Sequence, residues 1–323
     1  MASTGLREGM LKDRKGLLSI DILIPTFNRS HMLGGCLESF FAADPVTSMD
    51  WRVTVIDNNS ADKTKEVVQS FSAKFGEKIR YLFEPRPGRS TALNCGISAS
   101  DRMLIGMIDD DELIDRTWLT VVEDCFQEQA LDYIGGVCLG LWRTEKPKWL
   151  PPGYAGVLSA EDPALLPRRR ESFANENLFL YGGNSVVKRS LFDRVGLYAQ
   201  NLGRAAKGLG SCEDHDMFER FKTSGAYGLY VPELIIHHLV PPERVTRSYY
   251  RKWAWDRSLS LAKLDRISPQ NVAYFGRIPR YLIGQTLRGT PRLIFGNSAL
   301  RFAAELDWRS LVSFIYGAYW TRS

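Results

Sequence analysis

Short apolar runs alternate with stretches of helical period through the first half of the chain, and that rhythm sets the first expectations. Residues 19–25, carrying Ile20, Ile22, Leu23 and Ile24, read as a strand stopped by Pro25. Met32, Leu33, Cys36, Leu37, Phe40 and Phe41 then recur at helical spacing. A second strand is predicted over 51–57, closed by Asn58-Asn59-Ser60. A helix over about 62–75 follows, with Val67, Val68 and Phe71 on its apolar face. Residues 78–83 make a third strand, and Pro87-Gly88 marks the entry to a helix over 89–99. The fourth apolar run, 104–108, ends in Asp109-Asp110-Asp111-Glu112. A helix over about 115–128 and an apolar strand over 133–139 complete the alternation. This pace predicts an α/β fold: a Rossmann-like, mostly parallel sheet with helices on both faces.

The pattern then loosens. Residues 142–173 are rich in Pro, Trp and Arg, and are long enough for a functional loop or lid. Residues 181–187 suggest a bend entering a strand, and Ser190 begins a short helix. Glycines at 208 and 210 lead to Glu213 and Asp214 in the first turn of a helix ending near Thr223. Residues 227–231 and 234–238 are strand-like. From Glu243 onward, aromatics and arginines interleave in helical pieces such as 277–287 and 300–319. The chain therefore divides into a flexible leader (1–18), a domain over 19–242 whose halves meet at 112/113, and a basic, aromatic helical extension over 243–323.

Composition is ordinary for a globular protein, but charge is uneven. From Leu239 onward there are 14 Lys+Arg against 5 Asp+Glu, a net of +9, while the preceding 238 residues carry −4. A basic tail on an acidic body points to an anionic partner for the tail. Its aromatics fall at helical spacing, which favours packing on its own domain, homo-oligomer contact or a peripheral membrane contact, and no nucleic acid is expected. Five scattered cysteines without C-x-x-C spacing argue against zinc and disulfides. The polar start lacks a signal-peptide core and no apolar run reaches the roughly 20 residues of a membrane span, so a cytoplasmic protein is expected.

Polar residues gather at the carboxyl ends of the predicted strands: Thr26 and Asn28, Asp57, Arg86 and Arg89, Asp109 to Asp111. Ligands bind beyond those ends in sheets of this kind. One such aspartate is ordinarily a turn or a helix cap. Four polar strand ends in succession describe a pocket. Adjacent carboxylates are costly to bury without a cation, and hard oxygens with a diphosphate suit Mg²⁺ or Mn²⁺. Extended alternation would put Asp109 and Asp111 on one side. No G-x-x-x-x-G-K-[ST] loop and no G-x-G-x-x-G after the first strand occur, which excludes P-loop nucleotidases and argues against dinucleotide oxidoreductases. Asp57 could meet a base or ribose, and Arg89 a diphosphate.

Residues 22–29 (ILIPTFNR), 55–62 (VIDNNSAD), 87–97 (PGRSTALNCGI), 108–112 (IDDDE) with Trp118-Leu119, 212–214 (CED) and 230–233 (YVPE) leading to His238 together resemble, in order, the motifs of family 2 glycosyltransferases of the GT-A fold. The motifs span about 19–255 and leave the tail uncovered. The resemblance implies an inverting transfer from a nucleotide-diphosphate sugar, usually a UDP-sugar, to an acceptor hydroxyl, with Mn²⁺ or Mg²⁺. It further implies a metal held by Asp109, Asp111 and His238, and a donor wall of Pro25, Thr26, Asn28, Arg29, Asp57 and Arg89, with Asp110 facing the donor sugar or ribose. Asp214 is the expected general base, with Glu213 as the second candidate and helix capping as the plain reading of both. A glycan or lipid-linked saccharide acceptor would dock against 142–173 and 181–184, with Trp149, Gly183 and Asn184 as contacts. The chain departs from the common pattern at Asn58-Asn59, where an acid and a glycine are frequent. It also lacks the Q-x-x-R-W run of processive synthases, so transfer of one or few sugars is expected, in surface polysaccharide or glycan synthesis. The rival readings are a sugar nucleotidyltransferase, disfavoured by Pro25-Thr26-Phe27-Asn28, and a non-catalytic carbohydrate-binding protein, disfavoured by the intact acids.

Overall fold

The computed structural model describes residues 17–321 except 129, 152, 159, 162, 176, 177, 201, 203–211 and 268–271. The expected leader (1–18) lies almost wholly outside these residues, as do the glycines at 208 and 210. Strands β1 (Leu18–Thr26), β2 (Met49–Asp57), β3 (Ile79–Phe83) and β4 (Leu104–Met107) pair in parallel in the order β3-β2-β1-β4. Helices α1 (Ser30–Phe41), α2 (Thr64–Phe75) and α3 (Arg89–Ala99) connect them, and the register aligns Thr26 with Asp57.

Alternation holds inside β1 even though the strand is apolar on both sides. Ile20, Ile22 and Ile24 join the core with α1, α2 and α4 (Trp118–Glu128), while Leu23 joins α3, α5 (Arg189–Val195) and α6 (Glu213–Thr223) on the other face. Buried Asp21 shares the Leu23 face, where Arg52, Thr54 and Ser100 all donate to it.

The second half of the sheet is mixed. β8 (Ser185–Lys188) runs antiparallel between β4 and β6 (Tyr133–Trp142); β6 pairs in parallel with the long β9 (Gly228–Val240). Two short strands missed in the sequence, β5 (Glu112–Ile114) and β7 (Glu171–Ser172), add antiparallel to β9. The two segments expected at 227–231 and 234–238 are one strand. Pro232 sits where the β6–β9 register shifts, so its missing N–H interrupts no regular ladder. β5 aligns Glu112 with His238, and Leu239 N donates to Asp111 O at 2.9 Å. That pairing brings β9 to the acidic turn.

The extension folds as α7 (Arg247–Ile267), α8 (Arg280–Gly289), α9 (Pro291–Phe295) and α10 (Ser298–Trp320). α7 and α10 run side by side in the same sense: Arg251 meets Glu305, Trp255 O accepts from Ser313, and Arg266 donates to Thr321 O. The pair packs on the segment after β6, where Leu150, Leu158 and Ala160 share a core with Tyr250, Ala254, Phe302 and Leu306. No helix among the described residues is long and apolar enough to cross a membrane.

Candidate active site

β1 and β2 end in a pair of interlocked turns. Asn28 and Asn59 both adopt left-handed backbone, at φ 54° and 67°, a region asparagine tolerates better than most residues. Asn28 N donates to Ser60 Oγ at 2.9 Å, and Asn28 Oδ1 accepts from Ala61 N at 2.7 Å. Asn58 donates through Nδ2 to Glu84 O and Arg86 O, and its Oδ1 accepts from Gly88 N. The unusual Asn58 therefore latches the β3–α3 loop that delivers Arg89.

The acids after β4 lie in a turn, closed by Glu112 N donating to Asp109 O at 3.2 Å, so extended alternation does not apply to them. Asp109 and Asp111 are consequently drawn to different cations. Arg29 Nη1 donates to both Asp110 Oδ1 and Asp111 Oδ2 at 2.8 Å, and Thr26 Oγ1 donates to Asp110 Oδ2 at 2.7 Å. His238 Nε2 stands 3.5 Å from Asp111 Oδ1, and Arg244 Nη1 stands 3.5 Å from Asp111 Oδ2. Asp109 accepts from Arg89 Nε at 3.0 Å. Burial opposes the Asp111 charge, but His238, Arg29 and Arg244 outweigh it and hold the carboxyl well below the usual range. Asp110 moves the other way, raised by burial and by the Asp111 charge against the pull of Arg29. Glu112 is raised further by burial and by Asp109 and Asp111, and its Oε2 accepts from Asp109 N at 2.7 Å.

Arg89 joins the two halves of the site. Its Nη1 lies 3.1 Å from Asp214 Oδ1 and 3.6 Å from Glu213 Oε1, at the start of α6. Asp109 and Asp214 are thus one guanidinium apart. Asp214 is partly open, with 27% of its side chain exposed, whereas Glu213 retains 3%. A Cβ on Gly182 would fall 2.2 Å from Asp214 Oδ1, and one on Gly183 would fall 2.4 Å from Glu112 Oε1. Glycine at both positions leaves room for the two carboxylates.

These groups line a cleft of about 1130 Å³. Pro25, Thr26, Phe27, Arg29 and Asn58 wall one end, Asp109 to Glu112 and His238 the floor, and Gly182, Gly183, Glu213 and Asp214 the centre. The far wall comes from Tyr154, from Trp253 and Arg257 of α7, from Gln285 of α8 and from Asp307 of α10. Glu161, bonded to the lining residues Cys138 and Tyr181, is pushed up to about 7 by burial despite those bonds.

Several expected residues take other places. Asp57 is 3% exposed and spends its oxygens on Ser60 N and Tyr81 OH; Asn58, not Asp57, lines the cleft. Asn28 serves the turn rather than the cleft wall. Trp149 packs edge-on against Tyr250 and Phe302, outside the cleft lining. Asn184 lines the cleft but is fully buried, with Nδ2 on Val137 O and Leu234 O and Oδ1 accepting from Trp118 Nε1. His238 faces the cleft, while His237, one residue earlier on the strand, stands 3.8 Å from Asp115. Glu112 was legible as the fourth acid of its run; Arg244, Trp253 and Arg257 carried no signal, being far along the chain in a segment read as a tail.

The donor set suits a divalent ion completed by phosphate. Among the described residues no three His, Cys, Asp or Glu groups converge as a self-sufficient cation site. Asp111 and His238 do meet, Asp109 shares their cleft, and buried His238 Nδ1 has no hydrogen-bond partner among the described residues. Mg²⁺-type ions take one or two carboxylates and leave the rest of the shell to phosphates and water.

A family model described as Glycosyl transferase family 2 matches residues 21–196. Among curated proteins, the uncharacterized glycosyltransferase EpsJ of Bacillus subtilis is 22% identical over 55% of this chain and 50% of its own length. The succinoglycan biosynthesis protein ExoM of Rhizobium meliloti is 24% identical over 73% of this chain and 71% of its own. The chain thus spans half of EpsJ and somewhat more than two thirds of ExoM. Among solved structures, the mannosyltransferase PcManGT of Pyrobaculum calidifontis, in complex with GDP-Man and Mn²⁺, superposes with a TM-score of 0.60 at 14% identity, covering 94% of this chain and 88% of that one. S. aureus TarS 1–349 in complex with UDP gives 0.52 at 15% identity, covering 93% and 90%. These two share the fold, with a curled, mostly parallel sheet.

Proposed function

The chain belongs to glycosyl transferase family 2, and from that premise we propose that it moves one sugar from a nucleoside-diphosphate donor to an acceptor hydroxyl with inversion, in the building of a polysaccharide or other glycan. The observation that carries this reading is Arg89, whose one guanidinium binds both Asp109 and Asp214 within a single cleft. The donor base lies against Pro25, Thr26, Phe27 and Asn58, and its diphosphate lies over Asp109 and Asp111. Asp111 and His238, with Asp109, would hold Mn²⁺ or Mg²⁺. An ion held by those residues would supply positive charge against the charge building on the departing diphosphate. Asp214 takes the acceptor proton as the hydroxyl oxygen attacks the anomeric carbon. That bond forms as the bond to the diphosphate oxygen breaks, the electron pair leaving with the diphosphate, so one displacement inverts the centre. Arg89 aims the Asp214 carboxylate, and Glu213 steadies Arg89 from behind.

The donor nucleotide is left as a class, because proteins of this fold hold GDP-Man in one case and UDP in another. A panel of nucleotide sugars with Mn²⁺, read by thermal stabilisation and by nucleoside-diphosphate release, tests the reading. A donor at 100 times its dissociation constant adds about 2.7 kcal/mol. Stabilisation by one donor, abolished by chelation, and release stimulated by a saccharide acceptor are expected. Pyrophosphate release from a nucleoside triphosphate and a sugar phosphate would instead assign the chain to nucleotidyl transfer.

A further inference from the structure

The C-terminal helices present a surface that the cleft does not use. Residues 277–304 contain five arginines, at 277, 280, 288, 292 and 301, and no Asp or Glu. None of the five is in an ion pair among the described residues. Among the described residues, the guanidinium groups of Arg277, Arg280 and Arg301 donate to backbone carbonyls; Arg301 closes the end of α9 through Gly296 O and Ile294 O. Between these cations, at the corner where α8 meets α9, Leu287, Leu293, Ile294 and Phe295 are 58%, 39%, 67% and 85% exposed. Single exposed apolar residues need no explanation. Four within nine positions, flanked by arginines with no acid among them, do.

We propose that the α8–α9 corner docks on an anionic lipid bilayer, with Leu287, Leu293, Ile294 and Phe295 entering the headgroup layer and Arg288, Arg292 and Arg301 meeting lipid phosphates. Charge complementarity selects this occupant. A second copy would bring the same arginines face to face across an isologous contact. A nucleic acid would answer the charge but offers no apolar layer for Ile294 and Phe295. A bilayer answers both. The other face of α8 explains the placement: Tyr281, Leu282, Gln285 and Thr286, one helical turn apart in pairs, line the cleft. The docked corner therefore borders the cleft mouth. The docking stands without the transferase reading; only its use, presenting a lipid-borne acceptor to Asp214, rests on that reading.

The test is sedimentation of the full chain with phosphatidylcholine vesicles, with and without phosphatidylglycerol, at low and raised salt. Partition onto the anionic vesicles is expected, weakening with salt. The double variants R288E/R292E and I294S/F295S should each lower the partition coefficient at least about tenfold, with melting temperature and donor hydrolysis in water unchanged. Equal sedimentation without phosphatidylglycerol, or full binding by both double variants, would overturn the docking. So would binding to single-stranded RNA in place of vesicles, or a dimer that I294S/F295S abolishes while vesicles are ignored. Absent vesicle binding alongside intact transfer to a soluble acceptor removes the docking alone. Retained vesicle binding with no turnover of any sugar donor removes the transferase reading alone.

Discussion

The two ends of the cleft are built by different means. At the end we assign to the donor, the walls are strand termini or the turns after them, and parallel registers of β1, β2 and β4 line those termini up. At the end we assign to the acceptor, Tyr154, Trp253, Arg257, Gln285 and Asp307 come from four separate segments that meet through tertiary contacts. The donor end is also dense in paired charge, Arg29, Arg89 and Arg244 each bound to carboxylates, whereas Arg257 stands over the Trp253 ring at 5.4 Å with no ion pair among the described residues. The first end is set by sheet register; the second is assembled from later parts of the chain.

Four changes would break or sharpen this contrast. The largest effect belongs where the two ends meet. Asp214→Asn should lower the transfer rate roughly 10³-fold, about 4 kcal/mol, while leaving donor-induced stabilisation in place. A greater loss in Glu213→Gln would move the base by one residue. Gly183→Ala is next: a methyl 2.4 Å from Glu112 Oε1 overpacks the floor. Denaturant unfolding should show a loss of about 1–3 kcal/mol, and donor affinity should fall with it.

Arg257→Ala should act on the acceptor end alone. Its acceptor KM is expected to rise about five- to tenfold, roughly 1 kcal/mol, with donor KM unchanged; a change in donor KM would erase the division between the ends. The smallest effect lies in the extension. Arg251 and then Arg309 bind Glu305 and hold its carboxyl down at about 2. Because the folded value is the lower one, this stabilisation is complete above the ordinary glutamate value and fades as pH falls from there toward 2. The Glu305 side chain is 30% exposed, so the effect is kept to about 1 kcal/mol. Melting temperatures of wild type and Glu305→Gln should differ near neutrality and converge in acid.

Much of the donor end was readable from residue order. The helix predicted over 89–99 is α3 as found, and strands β1 to β4 lie within two residues of their predicted bounds. Residue order was a poorer guide to where side chains point. Strand alternation does not describe Asp109 and Asp111, because the chain turns there just before β5; they share the cleft without sharing one strand face. Trp149 packs against the extension, and Asn184 lines the cleft with its side-chain amide engaged by Val137, Leu234 and Trp118.

Periodicity and strand-end polarity are local properties, so the sequence by itself determined the alternating α/β order, the acids and arginines at the strand ends, and the family they resemble. Which carboxylate meets which cation depends on contacts such as Arg89 with Asp214, 125 positions apart, and Arg244 with Asp111, 133 apart. Only the tertiary structure decided those pairs, along with the conversion of a basic tail into the far wall of the cleft. Long-range packing and burial choose among partners that one-dimensional spacing leaves equivalent.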